Sequence, residues 1–143
     1  MKNVFSFILL SACMFLLTDV SAQIKTPAPS QGAKVETMVG LTSVTLDYSR
    51  PSKNGRKIYG DLVPFDAMWR TGANKNSMIS FSDDVMIGGA TVKKGTYAIF
   101  TKPGKMSWEV YFYSDTENWG TPEKWDDTKV AAKVMVTPQA GNM

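Results

Sequence analysis

Histidine is absent from this chain of 143 residues, and cysteine occurs once, as Cys13. The Ser-His-Asp and Cys-His arrangements of nucleophilic enzymes need an imidazole base, so neither arrangement is available here. The usual zinc sites draw on the same two residue types and are excluded with them. The glycine-rich loops that bind dinucleotides or nucleotide phosphates are also missing. We therefore predict no metal ion and no cofactor.

The N-terminus has the three parts of a secretory signal peptide. Lys2 supplies a positive charge, an apolar stretch follows from Val4 to Leu17, and Val20-Ser21-Ala22 offers the small residues that a signal peptidase requires. The apolar stretch is too short to span a membrane. We expect residues 1–22 to be removed and the mature chain to be periplasmic or extracellular. That chain contains no cysteine, so its stability must come from a packed core rather than from disulfides.

Lipid anchoring is an alternative within the same segment. Leu10-Ser11-Ala12-Cys13 resembles the sequence that directs lipid attachment to a cysteine. The lipidated residue would then be followed by the apolar run Met14–Leu17, where a polar tether is usual. Cleavage after Ala22 is the favoured interpretation.

The charge of the chain is nearly balanced. Lysine and arginine total 16 and aspartate and glutamate 13, and the lysines are scattered rather than clustered. This distribution argues against nucleic acid as a partner. The length predicts one domain, at residues 35–137, preceded by an extended lead-in at 23–34 and followed by a tail at 138–143.

The dominant sequence period after the lead-in is two, which is typical of β-strands. Apolar residues alternate with polar ones in Val44–Tyr48 and in Trp108–Tyr113, and Gly88-Gly89 suits a tight hairpin turn. Seven or eight such strands, with turn signals every 8–12 residues, predict an all-β antiparallel sandwich or jelly roll. Helix is scarce, with one turn expected near Glu123–Trp125 after the capping pair Thr121-Pro122.

One long segment, Ser49 to Asn76, lacks the strand pattern, and segments of this length are usually functional or contain undetected structure. It contains several distinctive runs: Ser49-Arg50-Pro51, Gly55–Gly60, Val63-Pro64 and Trp69-Arg70-Thr71-Gly72-Ala73-Asn74.

Together with Gly95-Thr96-Tyr97 and Trp119-Gly120, these runs resemble the motifs of DUF2911, a family of exported bacterial domains of unknown function. The resemblance extends over about residues 25–137. It implies an exported domain and supports the fold prediction, and it implies no activity.

The candidate site is a set of polar and aromatic residues in this segment. Guanidinium groups bind carboxylate, phosphate or sulfate, aromatic rings offer flat apolar faces for a sugar, and an amide both donates and accepts. The competing interpretation is structural, because arginines in long loops also bond free carbonyl groups. The candidate residues are Arg50, Arg56, Tyr59, Trp69, Arg70 and Asn74.

The acidic pairs Asp83-Asp84 and Asp126-Asp127, and Asp115 with Glu117, have no special spacing, and we interpret them as turn residues. Trp119 and Trp125 flank a turn, and we expect them to pack in the core or anchor the loop; the alternative is a surface binding platform.

Three functions follow, in order of preference. The first is a non-catalytic exported domain that binds a small anion or a glycan, the second a structural or interaction module of the cell envelope, and the third a hydrolase that uses two carboxylates.

Overall fold

The predicted strands are present in the computed structural model, which describes residues 26–139, and the all-β antiparallel class is confirmed. The predicted signal peptide, with Cys13, lies outside the described residues. In that described part no helix has the length and hydropathy that crossing a membrane requires. The eight strands are β1 Gln31–Val39, β2 Thr42–Arg50, β3 Met78–Phe81, β4 Val85–Ile87, β5 Ala90–Val92, β6 Gly95–Pro103, β7 Trp108–Tyr113 and β8 Val130–Val136.

Six strands form one antiparallel sheet in the order β1-β2-β3-β6-β7-β8, while β4 and β5 form a separate two-stranded hairpin. The turn between β4 and β5 is Gly88-Gly89, and both glycines have positive φ, as a tight hairpin requires. Strand β3 is short, and on its β6 side it pairs with Gly95–Ala98, the first four residues of that strand. The backbone of β6 beyond Ala98 is therefore not paired with β3, and another segment of the chain can hydrogen bond to it.

The β4–β5 hairpin covers one face of the large sheet, which we call the hairpin-covered face. Val92 of β5 is fully buried there against Phe81, Tyr97, Phe112 and Ala132. Alternation along the strands places these side chains on one side of the sheet, since successive residues point to opposite faces. The smaller layer of the fold is therefore only two strands wide.

Irregular segments cover the opposite, loop-covered face. Phe100 of β6 is fully buried there, and Trp125 packs edge-on against it with ring centroids 5.4 Å apart. Trp125 also stacks on Tyr113 at 4.5 Å and meets Tyr111 edge-on at 5.4 Å. We refer to Phe100, Tyr111, Tyr113 and Trp125 as the Trp125 cluster.

Two local expectations differ from the structure. Pairing of β1 begins at Gln31 rather than at Val35, because Gln31 lies opposite Arg50 at the end of β2. The helical turn near Glu123–Trp125 is not formed, and a short 3₁₀ turn follows at Asp127–Lys129 instead. The Trp125 ring is held in the core, and Asp126 caps the later turn by accepting a hydrogen bond from the Thr128 amide.

Candidate functional site

The segment between β2 and β3 extends the sheet along the free part of β6. The amide of Trp69 donates to the Thr101 carbonyl at 2.8 Å, and the Thr101 amide donates back at 2.9 Å. The Asp66 amide reaches the Pro103 carbonyl at 2.8 Å. Because Trp69 and Thr101 lie directly opposite one another in an antiparallel bridge, their side chains lie on the same side of the sheet.

The first half of the same segment is a tight irregular loop that bonds to itself. Arg56 donates to the carbonyls of Lys53 and Ser52, at 3.0 Å from Nε and 2.6 Å from Nη2. Gly60 has φ of +81°, and a Cβ at this position would lie 2.5 Å from the Phe65 ring. The loop therefore depends on a glycine here, both for its backbone angle and for the close approach of the ring.

A cleft of about 850 Å³ lies along this segment. Its lining includes three basic side chains, Lys53, Arg56 and Arg70, and two aromatic ones, Tyr59 and Trp69. Among the residues that the structure describes, no aspartate or glutamate lines it. Cations without neighbouring acids in a concave surface favour a negatively charged ligand.

The two aromatic residues of the cleft belong to a group that we call the Tyr59 cluster: Tyr59, Trp69 and Trp108. The Tyr59 ring meets Trp108 edge-on with centroids 4.7 Å apart and Trp69 at 6.1 Å. Tyr59 nevertheless keeps 42% of its surface exposed. Its neighbours therefore fix the ring, and part of its surface remains open to a ligand.

Arg70 carries a charge that no carboxylate balances within the described chain. The ion pairs there join Lys34 to Glu36, Lys93 to Asp84 and Lys129 to Asp115. The Nε atom of Arg70 is buried and lacks a hydrogen-bond partner among the described residues. An unpaired buried donor of this kind calls for an acceptor from outside the chain.

Comparison with known proteins assigns the family. Residues 30–143 match the family described as "Protein of unknown function (DUF2911)". The chain belongs to this family. No curated protein and no solved structure matches the chain.

Four of the six residues singled out from the sequence line the cleft of this DUF2911 domain: Arg56, Tyr59, Trp69 and Arg70. Arg50 is exposed at the end of β2, and it is not among the lining residues. Asn74 is also outside the lining and has a positive φ. Its amide donates to the Ser30 carbonyl at 3.0 Å and to Ser49 Oγ at 3.3 Å, so it ties the segment to the start of β1.

Sequence reasoning missed three residues of this DUF2911 site. Lys53 lines the cleft, and Trp108 supports Tyr59. Asn76 lies outside the lining, but it is almost fully buried, and its amide nitrogen has no partner within residues 26–139. Asn76 ends the segment Ser49 to Asn76, but no pattern in the sequence indicates its contact with the distant Gly120. Trp108 comes from β7, and no local pattern indicates its contact with Tyr59.

The acidic pairs singled out from the sequence have structural partners. Asp84 accepts hydrogen bonds from the Lys93 side chain, which lowers the pKa of Asp84, and from the Lys94 amide. The bond from the Thr128 side chain lowers the pKa of Asp126. Among residues 26–139, no three or more acidic, histidine or cysteine side chains gather as metal ligands. Turn capping accounts for these carboxylates.

Proposed function

We propose that this chain is an exported, non-catalytic binding domain whose cleft takes a small anionic ligand with a sugar-like ring. The observation that carries the proposal is the composition of the cleft. Lys53, Arg56 and Arg70 line it without a described acidic neighbour, beside the rings of Tyr59 and Trp69.

The size of the cleft supports a small-molecule ligand. A volume of about 850 Å³ falls within the roughly 300–1,000 Å³ of ordinary ligand pockets. The Trp69 backbone is hydrogen bonded to β6, and Arg56 is bonded to its own loop. A cleft with such fixed walls needs little reorganisation when it binds, which favours affinity.

The two kinds of lining side chain suit two parts of one ligand. The apolar face of a sugar ring packs against an aromatic ring, while an acidic substituent pairs with a guanidinium group. The hydrolase alternative requires two carboxyl groups about the reacting bond. The lining of the cleft supplies none from the described residues.

Export is part of the proposal and rests on the sequence of residues 1–22. We expect the full chain, expressed in a bacterial host with a periplasm, to be recovered from the periplasm with Gln23 as its first residue. Mass spectrometry of the recovered protein measures this directly. A product that retains residues 1–22, or one that begins with a lipid-modified Cys13, contradicts the cleavage site.

Thermal unfolding of the mature chain against matched acidic and neutral sugars tests the binding function. A ligand at 100 times its Kd adds about 2.7 kcal/mol to the free energy of unfolding. We expect such stabilisation from at least one member of the panel and its loss in Tyr59→Ala. Trp119→Ala is the control, because Trp119 is 73% exposed and lies outside the cleft lining. No stabilisation by any sugar, or equal loss in both variants, contradicts the proposal.

A second candidate, an interaction module of the cell envelope, is favoured by a different surface. Leu41, in the β1–β2 turn, is 94% exposed, and Val39 and Met38 before it are also exposed. If the cleft binds no sugar and Leu41→Lys with Val39→Lys releases the chain from an envelope fraction, this function replaces the first.

A further inference from the structure

A buried polar group lies against the Trp119-Gly120 turn. Asn76 is 3% exposed, and its Oδ1 accepts a hydrogen bond from the Gly120 amide at 3.1 Å. Because the Gly120 N–H is a donor, the side-chain amide is oriented with its oxygen toward Gly120. The Nδ2 group of Asn76 is then left over, buried and without a partner in the described chain.

The Arg70 side chain reaches the same glycine. Its Nη1 atom lies 3.5 Å from the position that a Cβ on Gly120 would occupy. Its Nε is the second buried donor without a partner. Gly120 thus touches two side chains that each hold an unused donor, one of them on a charged group.

A third buried amide lies in the same turn. Asn118 Nδ2 also lacks a hydrogen-bond partner among the described residues. Of the three donors, those of Arg70 and Asn76 belong to side chains beside Gly120.

The charge of Arg70 decides what kind of acceptor fits. A water molecule can accept hydrogen bonds from both donors, but it leaves the guanidinium charge uncompensated in a partly buried position. A carboxylate accepts hydrogen bonds and also balances the guanidinium charge. Arg70 also lines the cleft, so a ligand in the cleft can present an acidic group to it.

We infer that Arg70 and Asn76 form an anion subsite for a carboxylate, so that the ligand of the cleft is a carboxylated sugar rather than a neutral one. This inference rests on the proposed function and names its ligand class. Tyr59 and Trp69 contact the ring of the ligand, and Arg70 with Asn76 binds its acidic group.

The experiment compares sugars that differ at one position, by calorimetric titration of the mature chain. Methyl glucuronoside and methyl glucoside share a ring and differ in a carboxylate against a hydroxymethyl group, and sodium acetate supplies the carboxylate alone. We expect the glucuronoside to bind at least about tenfold more tightly than the glucoside, a difference of ~1.4 kcal/mol. Acetate should bind weakly and compete with the glucuronoside.

Arg70→Gln removes the charge and should reduce the preference for the acidic sugar to less than about threefold, with the glucoside affinity retained. Lys94→Gln is the matched control, because it makes the same change of charge at an exposed residue outside the cleft lining. It should keep most of the preference. Equal loss in the two variants overturns the subsite, since it indicates a general charge effect.

Asn76→Asp provides a second variant that does not depend on Arg70→Gln folding. It places a carboxylate of the protein where the ligand's carboxylate is expected, while the retained oxygen still accepts from Gly120. We expect this variant to lose the preference for the glucuronoside and the competition by acetate. An undiminished preference overturns the inference.

The outcomes separate the inference from the proposed function. If both sugars bind equally and Tyr59→Ala abolishes binding, the cleft binds sugars but the carboxylate subsite is wrong. If neither sugar binds, the proposed function fails for this ligand class and the inference fails with it. If acetate alone binds and Arg70→Gln abolishes its binding, the subsite takes a free small anion, and the carboxylated-sugar ligand is rejected.

Discussion

The Trp125 cluster and the Tyr59 cluster contain the same kinds of side chain but occupy different surroundings. In the first, Phe100 is fully buried and Trp125 is packed on three rings, with its Nε1 donating to Asp127 at 2.9 Å. In the second, the Tyr59 ring keeps 42% of its surface exposed beside a cleft. The two clusters therefore differ in how far the surrounding chain buries their rings and not in residue type. The buried rings stabilise the fold, and the exposed ring is accessible to a ligand.

The largest expected effect comes from breaking the Trp125 cluster. Phe100→Ala removes a ring from a fully enclosed site and should lower the free energy of unfolding by about 3–5 kcal/mol. Urea-induced unfolding measures it. A loss below about 1 kcal/mol would mean that the loop-covered face is not the close-packed core described here.

The second-largest expected effect is a loss of stability at alkaline pH, caused by the titration of Tyr111. Burial, with the hydrogen bond to Glu109, raises the pKa of Tyr111 in the Trp125 cluster to about 12, against about 10 in the unfolded chain. The folded protein thus holds this proton more tightly, so the stabilisation is complete below pH 10 and is lost as the pH rises toward 12. The loss should be on the order of 1–2 kcal/mol, because solvent screens part of the interaction.

Comparison with Tyr111→Phe isolates that contribution, because other groups also titrate in this range. The stability of the wild-type protein minus that of the variant should fall between pH 10 and 12. A difference that stays constant with pH would show that Tyr111 is open to solvent, as Tyr59 is.

Breaking the Tyr59 cluster should lower the stability of the protein less than breaking the Trp125 cluster does. Tyr59→Ala removes a half-buried ring with two edge contacts and should lower the free energy of unfolding by about 1–2 kcal/mol. Thermal unfolding without ligand measures it. A loss as large as that of Phe100→Ala places Tyr59 in the structural core and removes the contrast between the clusters.

The smallest effect is expected outside both clusters. Trp119 is 73% exposed, so Trp119→Ala should change stability by no more than about 0.5 kcal/mol. A larger loss of stability in urea unfolding would mean that Trp119 anchors its turn, which is one of the roles that the sequence predicts for it.

Much of the strand pattern was predictable because it is local. Met78–Phe81 forms β3 as predicted, and Gly88-Gly89 forms the hairpin turn. The pairing of Trp69 with Thr101 was not predictable, since it depends on β3 ending early and leaving part of β6 free. The turn near Glu123–Trp125 failed for a similar reason: the distant rings of the Trp125 cluster outweigh a local capping signal.

The candidate site was predictable in composition and less so in detail. Arginine and asparagine suit both a ligand and the carbonyl groups of a loop, so the sequence does not separate the two uses. In the structure, the Asn74 amide donates to the Ser30 carbonyl, whereas the Nε atom of Arg70 has no partner among the described residues. No sequence pattern indicates a role for Asn76, because its hydrogen bond comes from Gly120, which is 44 residues away in the chain.

The attachment of Trp69 to β6 also has a kinetic consequence. A wall that is hydrogen bonded to an interior strand of the sheet does not swing aside as a lid without breaking those bonds. Ligand entry then requires no slow opening step, so association should be limited by diffusion and orientation and residence time should be set by dissociation. Deuterium exchange at the Trp69 and Thr101 amides should likewise be slow before any ligand arrives.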